Sequence, residues 1–488
     1  MMKMHAIRTV ILIPAFLALI GCAHYIVNDQ SRSFDSQSGY RFDTLDSGPH
    51  NSDSLFVCLL FSGGGTRAAA LSYGIMEALR DTPVRVDGRD RHLLDEVDCI
   101  SSVSGGSFTA AYYGLFRERL FDDFRARFLE CDIQGALADQ LLNPVNWFRL
   151  ASPYFGRIDM AAELYDRKIF DAATFERLQS NERPFVILNA TNLGADRRFD
   201  FTQEYFDALG SRLDSYKVSR AVAASSAFPY LLTPISLKNF PLAEEYTAPW
   251  WYKNALTPKD WITERYDAAK NLSVYLNKEN RYIHLMDGGL SDNIGARAIL
   301  NAFDRGFIRT RINQGVIRRL VLIVVNARTQ SEDLLSRKEK PPGFFTVAKK
   351  TATVAMDNYS YDSMTKLREA LYTRVQTQMD EQACVTLLSK YCPKAPKPIP
   401  FPAEIDPYVI EINFEAASQI PGEDSRYYLE LPTSFKLSRE QVDKLVAIGP
   451  KLLQASPQYL CLLKVLAAAA EGRPRPEECP VGEGIFHK

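Results

Sequence analysis

In the stretch Val97-Asp98-Cys99-Ile100-Ser101-Ser102-Val103-Ser104-Gly105-Gly106-Ser107-Phe108, an apolar run climbs to Ser104 and glycine follows at once. Small residues then open a helix. Strand, sharp turn and helix together hold a serine oxygen out of a sheet as a nucleophile, and the strained turn demands small neighbours. Ser102 and Gly106 flank Ser104 at the required spacing, with serine standing where glycine is usual. Ser-Gly-Gly also makes ordinary turns, so this stretch alone leaves both readings open. Upstream, Leu55 to Phe61 is an apolar run entering Ser62-Gly63-Gly64-Gly65-Thr66-Arg67. Glycine amides converging at a helix start suit either a phosphate or the oxyanion of acyl transfer. No G-K-[S/T] ending follows, which disfavours Walker-type nucleotide binding. Downstream, Tyr282 to Met286 reads as a strand ending on Asp287-Gly288-Gly289. The three strand ends are expected to meet at one edge of a parallel sheet.

Taken in order, these blocks resemble the patatin-like phospholipase family, whose pattern is a glycine-rich oxyanion loop with a basic residue, G-x-S-x-G, then D-G-G or D-G-A. Ala221-Val222-Ala223-Ala224-Ser225-Ser226-Ala227-Phe228-Pro229 resembles the family's alanine-serine-proline segment before the aspartate. The resemblance runs from Leu55 to Ala327. It implies a three-layer α/β fold and a Ser-Asp dyad, with Ser104 as nucleophile and Asp287 as its base. By the same resemblance Gly63, Gly64, Gly65 and Arg67 belong to the oxyanion hole, and Gly288, Gly289 and Asn293 shape the acid loop. Arg67 also reads as a solvated charge at a helix start. The implied activity is cleavage of membrane (phospho)lipid esters through an acyl-serine, with no metal or organic cofactor. Acyl transfer to a lipid alcohol would use the same intermediate. A non-catalytic envelope lipoprotein that binds lipid is the alternative from another class.

A histidine triad is disfavoured. On a strand, His284 faces away from Asp287, three residues on. In the α/β-hydrolase order of serine, acid, histidine, only His487 follows Asp287, in a tail rich in proline and glycine.

Four segments must position these groups: Leu55–Phe61 and Pro184–Asn192 as buried strands, Val218–Ala224 as a short helix, and Arg319–Asn326 as a last strand closing a mainly parallel sheet. Residues 54–330 form the expected catalytic domain. Residues 331–488 form a C-terminal, mostly helical extension of open role, with long helices over Phe345–Met379 and a strand at Tyr408–Phe414. A further helix is capped by Ser438 and Gln441, stapled by Leu437 and Val442, and stopped at Gly449-Pro450. Leu141 to Leu150 and Pro153-Tyr154-Phe155 mix apolar and aromatic residues with Arg149 and Arg157; they read as a lipid contact or as a packed loop. Lys238 to Asn271 carries Trp250, Trp251 and Trp261, and reads as a lid or as a satellite cluster.

The balance of 58 basic and 59 acidic residues argues against a general nucleic-acid binder. Lys3 and Arg8 precede an apolar run ending Leu19-Ile20-Gly21-Cys22, which looks like a lipoprotein signal of residues 1–21 with Cys22 lipidated. Residues 22–53, polar and turn-rich, read as a tether. The expected location is the cell envelope, at the outer membrane if the source is Gram-negative. Cys58 and Cys99 are expected as free cysteines in buried strands. Cys384 with Cys392, and Cys461 with Cys479, are possible disulfide pairs in an exported chain.

Overall fold

The computed structural model describes residues 28–229, 231–257, 263–330, 339–394 and 404–482. Cys22, Trp261 and His487 lie outside the described residues.

Strand β1 (Leu55–Phe61) is buried at every position and leads through the glycine loop into α1 (Thr66–Arg80). The small hairpin β2–β3 (Pro83–Val86, Arg89–His92) precedes β4 (Val97–Val103), also buried throughout, and α2 (Gly105–Phe116). Helices α3 (Ile133–Leu142) and α4 (Pro144–Leu150) form a hairpin, followed by β5 (Phe185–Asn192) and β6 (Arg197–Asp200). Helix α5 (Val218–Ser225), β7 (Ile235–Lys238), β8 (Tyr282–Asp287) and β9 (Arg319–Asn326) complete the catalytic segment. Beyond it come α6 (Phe344–Tyr391), β10 (Asp406–Asn413), α7 (Arg439–Ala455) and α8 (Pro457–Ala470).

The main sheet runs β10-β9-β1-β4-β5-β8-β7, with β6 paired to β5. Its first five strands are parallel, and β1 and β9 in its interior carry the continuous apolar runs of strands buried on both faces. The fold is a mixed α/β architecture around this mostly parallel sheet, with a largely helical C-terminal region.

Several expectations are corrected. β9 does not close the sheet, because β10 pairs with it in parallel over eight residues from Asp406↔Arg319 to Asn413↔Asn326. Residues 28–53 are not a free tether: Tyr40, Phe42 and Leu45 are buried. Strand β8 pairs only with the Ala190–Asn192 end of β5. The buried Tyr40 hydroxyl serves the β5 backbone at Val186, donating to Val186 O at 3.1 Å and accepting from Val186 N at 2.8 Å.

Helix α7 has its capping box at Ser438 and Gln441 but continues through Gly449-Pro450. Pro450 lacks an N–H, which frees the Val446 carbonyl four residues earlier. That carbonyl lies against Gly74 of α1, where a Cβ would sit 2.3 Å from Val446 O. Two glycines, Gly74 and Gly449, let the helices approach closely enough to tolerate the break.

The cysteines also differ. Cys58 and Cys99 are register partners on β1 and β4 with Cα atoms 4.6 Å apart, and they are bridged. Cys461 and Cys479 are bridged. Cys384 and Cys392 are free and exposed. Eight residues along one helix separate them by about 12 Å of rise, beyond disulfide reach.

Candidate active site

Register explains how the three blocks meet. Phe61 pairs with Ser102, so Gly63 comes level with Ser104. Val103 pairs with Asn189, so Ser104 is level with Ala190, whose partner across the next ladder is Asp287. The acid's strand is antiparallel, a departure from the expected all-parallel edge. Asp287 still reaches Ser104 because β8 overlaps only the far end of β5.

Ser104 has φ +50°, a backbone conformation that side chains with a Cβ rarely adopt, and it is 8% exposed. The turn aims its Oγ at Asp287 Oδ2, which accepts its hydrogen bond at 2.9 Å. The other carboxylate oxygen, Oδ1, accepts the Gly289 N–H at 2.8 Å. Asp287 is 2% exposed, and burial pushes its carboxyl up to about 7; the Gly289 amide and the Ser104 hydroxyl pull the other way. Both of its oxygens are engaged, and no cation is among the groups that set its ionisation.

The glycine loop lies directly on the elbow. A Cβ on Gly63 would be 3.2 Å from Ser104 Cβ, and one on Gly105 only 2.0 Å from Gly65 O. The Gly63 N–H is already used, donating to Asn293 O at 2.9 Å. This removes Gly63 from the expected donors. Among the described residues, the Gly64 and Gly65 amides donate to no protein acceptor, and they sit at the N-terminus of α1. They are the amides left to receive an oxyanion. Asn293 Oδ1 approaches both Gly63 and Gly289, so Asn293 ties the glycine loop to the acid loop.

Arg67 is not the solvated charge at a helix start. It is 2% exposed, and its guanidinium donates to Ala327 O (2.9 Å), Leu431 O (2.7 Å) and Thr433 Oγ1 (3.2 Å). It clamps the glycine loop onto chain beyond β9. With no carboxylate bound to it, desolvation lowers its pKa to about 10.

Several residues escaped sequence reasoning. Ser225 Oγ accepts the Ser104 N–H at 2.9 Å and meets Ser107 Oγ at 2.9 Å. Ser107 Oγ donates onward to Ser102 Oγ at 3.2 Å, and Ser102 Oγ to Ile187 O at 3.3 Å. Ser102 is therefore tolerated in place of glycine because its hydroxyl joins a buried chain. Thr191 Oγ1 donates to Asp287 O at 2.8 Å, and the Thr66 N–H to Ser434 O at 2.9 Å. The Ala221–Pro229 resemblance was the one sequence signal near Ser225; nothing in the spacing marked residues 431–434.

The remaining candidates lie elsewhere. His284 is exposed, with Nδ1 2.8 Å from Ser236 Oγ. Trp250 is exposed, whereas Trp251 is buried with the Arg305 guanidinium 4.7 Å over its ring. Trp251 also lines a cavity of about 250 Å³ with Arg198, Asp200, Glu204 and Arg305. Neither Ser104, Asp287 nor the glycine loop lines that cavity, so Trp251 belongs to the cluster reading and not to a catalytic lid.

The patatin-like phospholipase family model matches residues 59–300. No curated protein matches the sequence. Among solved structures, human GIVD cytosolic phospholipase A2 is similar at a TM-score of 0.44 and 13% identity, over 86% of this chain and 61% of that one. The same human protein bound to methyl gamma-linolenyl fluorophosphonate gives 0.40 and 13%, over 86% and 60%. VipD from Legionella pneumophila gives 0.25 and 11%, over 81% and 67%. The chain thus spans about three fifths of the length of the cytosolic phospholipase structures it matches. Residues 59–300 are thus similar to the patatin-like phospholipase family.

Proposed function

We propose that the chain is a serine acyl hydrolase that cleaves ester bonds of membrane phospholipids with Ser104 and Asp287. The observation that carries this reading is the 2.9 Å hydrogen bond from Ser104 Oγ to a buried carboxylate. In the first half-reaction Asp287 accepts the Ser104 proton as Oγ bonds to the ester carbonyl carbon. Charge develops on the carbonyl oxygen, where the Gly64 and Gly65 amides stand ready to donate; each such donor is worth about 10²–10³ in rate. Collapse breaks the bond to the leaving alcohol, which takes the proton from Asp287. In the second half-reaction Asp287 takes a proton from water, hydroxide attacks the acyl carbon, and the Ser104 hydroxyl re-forms. A carboxylate near neutrality suits both roles, since it can accept and return a proton at the same pH.

Labelling of the purified protein by a serine-directed fluorophosphonate, followed by mapping, tests this. The adduct belongs on Ser104 and disappears in Ser104→Ala. Label on another serine, or undiminished ester hydrolysis by Ser104→Ala, refutes it. We further propose export to the cell envelope and anchoring through lipidated Cys22, at the outer membrane if the source is Gram-negative. Cys22→Ser then abolishes partition with membranes; unchanged fractionation and an unchanged N-terminal mass refute the anchor.

A further inference from the structure

We infer that the α3–α4 hairpin is an interfacial seat that beds the mouth of the Ser104 site into a lipid surface. The inference rests on the hydrolase reading for its substrate class. Helix α3 buries only Ile133, and α4 buries no residue at all. Leu142, Val145 and Trp147 are 72%, 67% and 58% exposed. Large exposed apolar side chains gathered on one short segment mark an interaction surface. Trp147 donates its indole N–H to Leu141 O at 2.7 Å. Its one polar atom is thereby satisfied and its ring is presented outward, the arrangement that suits a headgroup–acyl boundary.

The feet of the hairpin say what covers it. At the first foot, Gln134 N donates to Phe435 O and Ser434 Oγ to Gln134 Oε1; Ser434 in turn pairs with Gly65 of the glycine loop. Beyond the other end, eight residues past Leu150, Ile158 N donates to Thr233 Oγ1 at 3.3 Å. Thr233 follows closely on Ala227, whose carbonyl accepts the Asp287 N–H. The hairpin is therefore held at one end by the segment that holds the glycine loop, and the chain leaving its other end runs on to the segment that holds the acid. A protein seated on this rim would obstruct the way to Ser104, whereas a lipid surface seated there supplies substrate directly. Ten residues of α3 carry the apolar end about 15 Å from its foot, enough to enter the headgroup region.

The full chain mixed with vesicles of brominated phosphatidylcholine tests the assignment, because such quenching reports the depth of a ring however the chain is anchored. Tryptophan emission should be quenched, and Trp147→Phe should remove about half of that quenching or more. The exposed double variant Leu142→Asp/Val145→Asp should hydrolyse phosphatidylcholine vesicles about tenfold more slowly. It should keep its melting temperature and its rate on a soluble short-chain ester. Quenching unaltered by Trp147→Phe, or equal loss on vesicles and soluble ester, overturns the proposal. If the parent hydrolyses neither substrate, the hydrolase reading fails, and the quenching comparison still decides whether the hairpin enters lipid.

Discussion

Replacing Asp287 by asparagine should inactivate the protein and, above neutral pH, stabilise it. Burial raises the Asp287 carboxyl from 3.8 to about 7. That interval of roughly 3 pKa units corresponds to about 4 kcal/mol, and at 2% exposure no discount for solvent screening applies. The sign follows from proton counting. Between pH 4 and pH 7 the unfolded carboxyl has lost its proton while the native one still holds it, so the unfolded state binds fewer protons. Stability therefore falls as pH rises through this window and is flat above it. Asparagine cannot ionise, so Asp287→Asn lacks this loss.

Urea unfolding at pH 4 and at pH 8.5 should show the variant gaining on the parent by about 2–4 kcal/mol between the two conditions. Activity should run the opposite way. In the parent the rate should rise about tenfold per pH unit and level off near pH 7, where the carboxylate becomes available as base. In Asp287→Asn it should be low and without that inflection. A parent profile flat down to pH 5, or a stability difference independent of pH, would refute a desolvated base at this position.

Three further substitutions probe the supports of the site. Gly105→Ala places a Cβ 2.0 Å from Gly65 O and 2.6 Å from Gly65 N; pushing the glycine loop off the elbow should lower the ester hydrolysis rate about 10²-fold or more with little change in circular dichroism. Arg67→Met leaves Ala327 O, Leu431 O and Thr433 Oγ1 without their donor. At about 1–3 kcal/mol per orphaned acceptor this outweighs relief of the buried charge, so urea unfolding should show a net loss of about 2 kcal/mol or more. Gly74→Ala drives a methyl to 2.3 Å from Val446 O; forcing α1 and α7 apart should cost about 1–3 kcal/mol in the same assay, with activity measured at low temperature retained.

The parts of this fold that were legible in the sequence are those whose physics is local. β1 and β9 read as buried strands because each carries a continuous apolar run, and the elbow reads from small residues packed around one serine. What was not legible is settled by partners distant in the chain. Strand direction leaves no mark on β8, whose letters would serve a parallel neighbour equally well. Polar residues 28–53 resemble a tether, yet three large side chains, Tyr40, Phe42 and Leu45, are enough to fix part of the segment to the core. Gly449-Pro450 ends helices in general; here a glycine on another helix accepts the freed carbonyl.

Arg67 carries this distinction to the site itself. Its position beside three glycines is a sequence fact, and it invites the reading that the cation stabilises an oxyanion. Its acceptors Leu431 and Thr433 lie 364 and 366 positions away. They make it a buried clamp on the glycine loop. The C-terminal region thereby supports the candidate site: it supplies Ser434 O to the Thr66 N–H and two acceptors to Arg67, and these bonds hold the glycine loop. Without residues 431–434 the glycine loop would keep its sequence and lose its geometry.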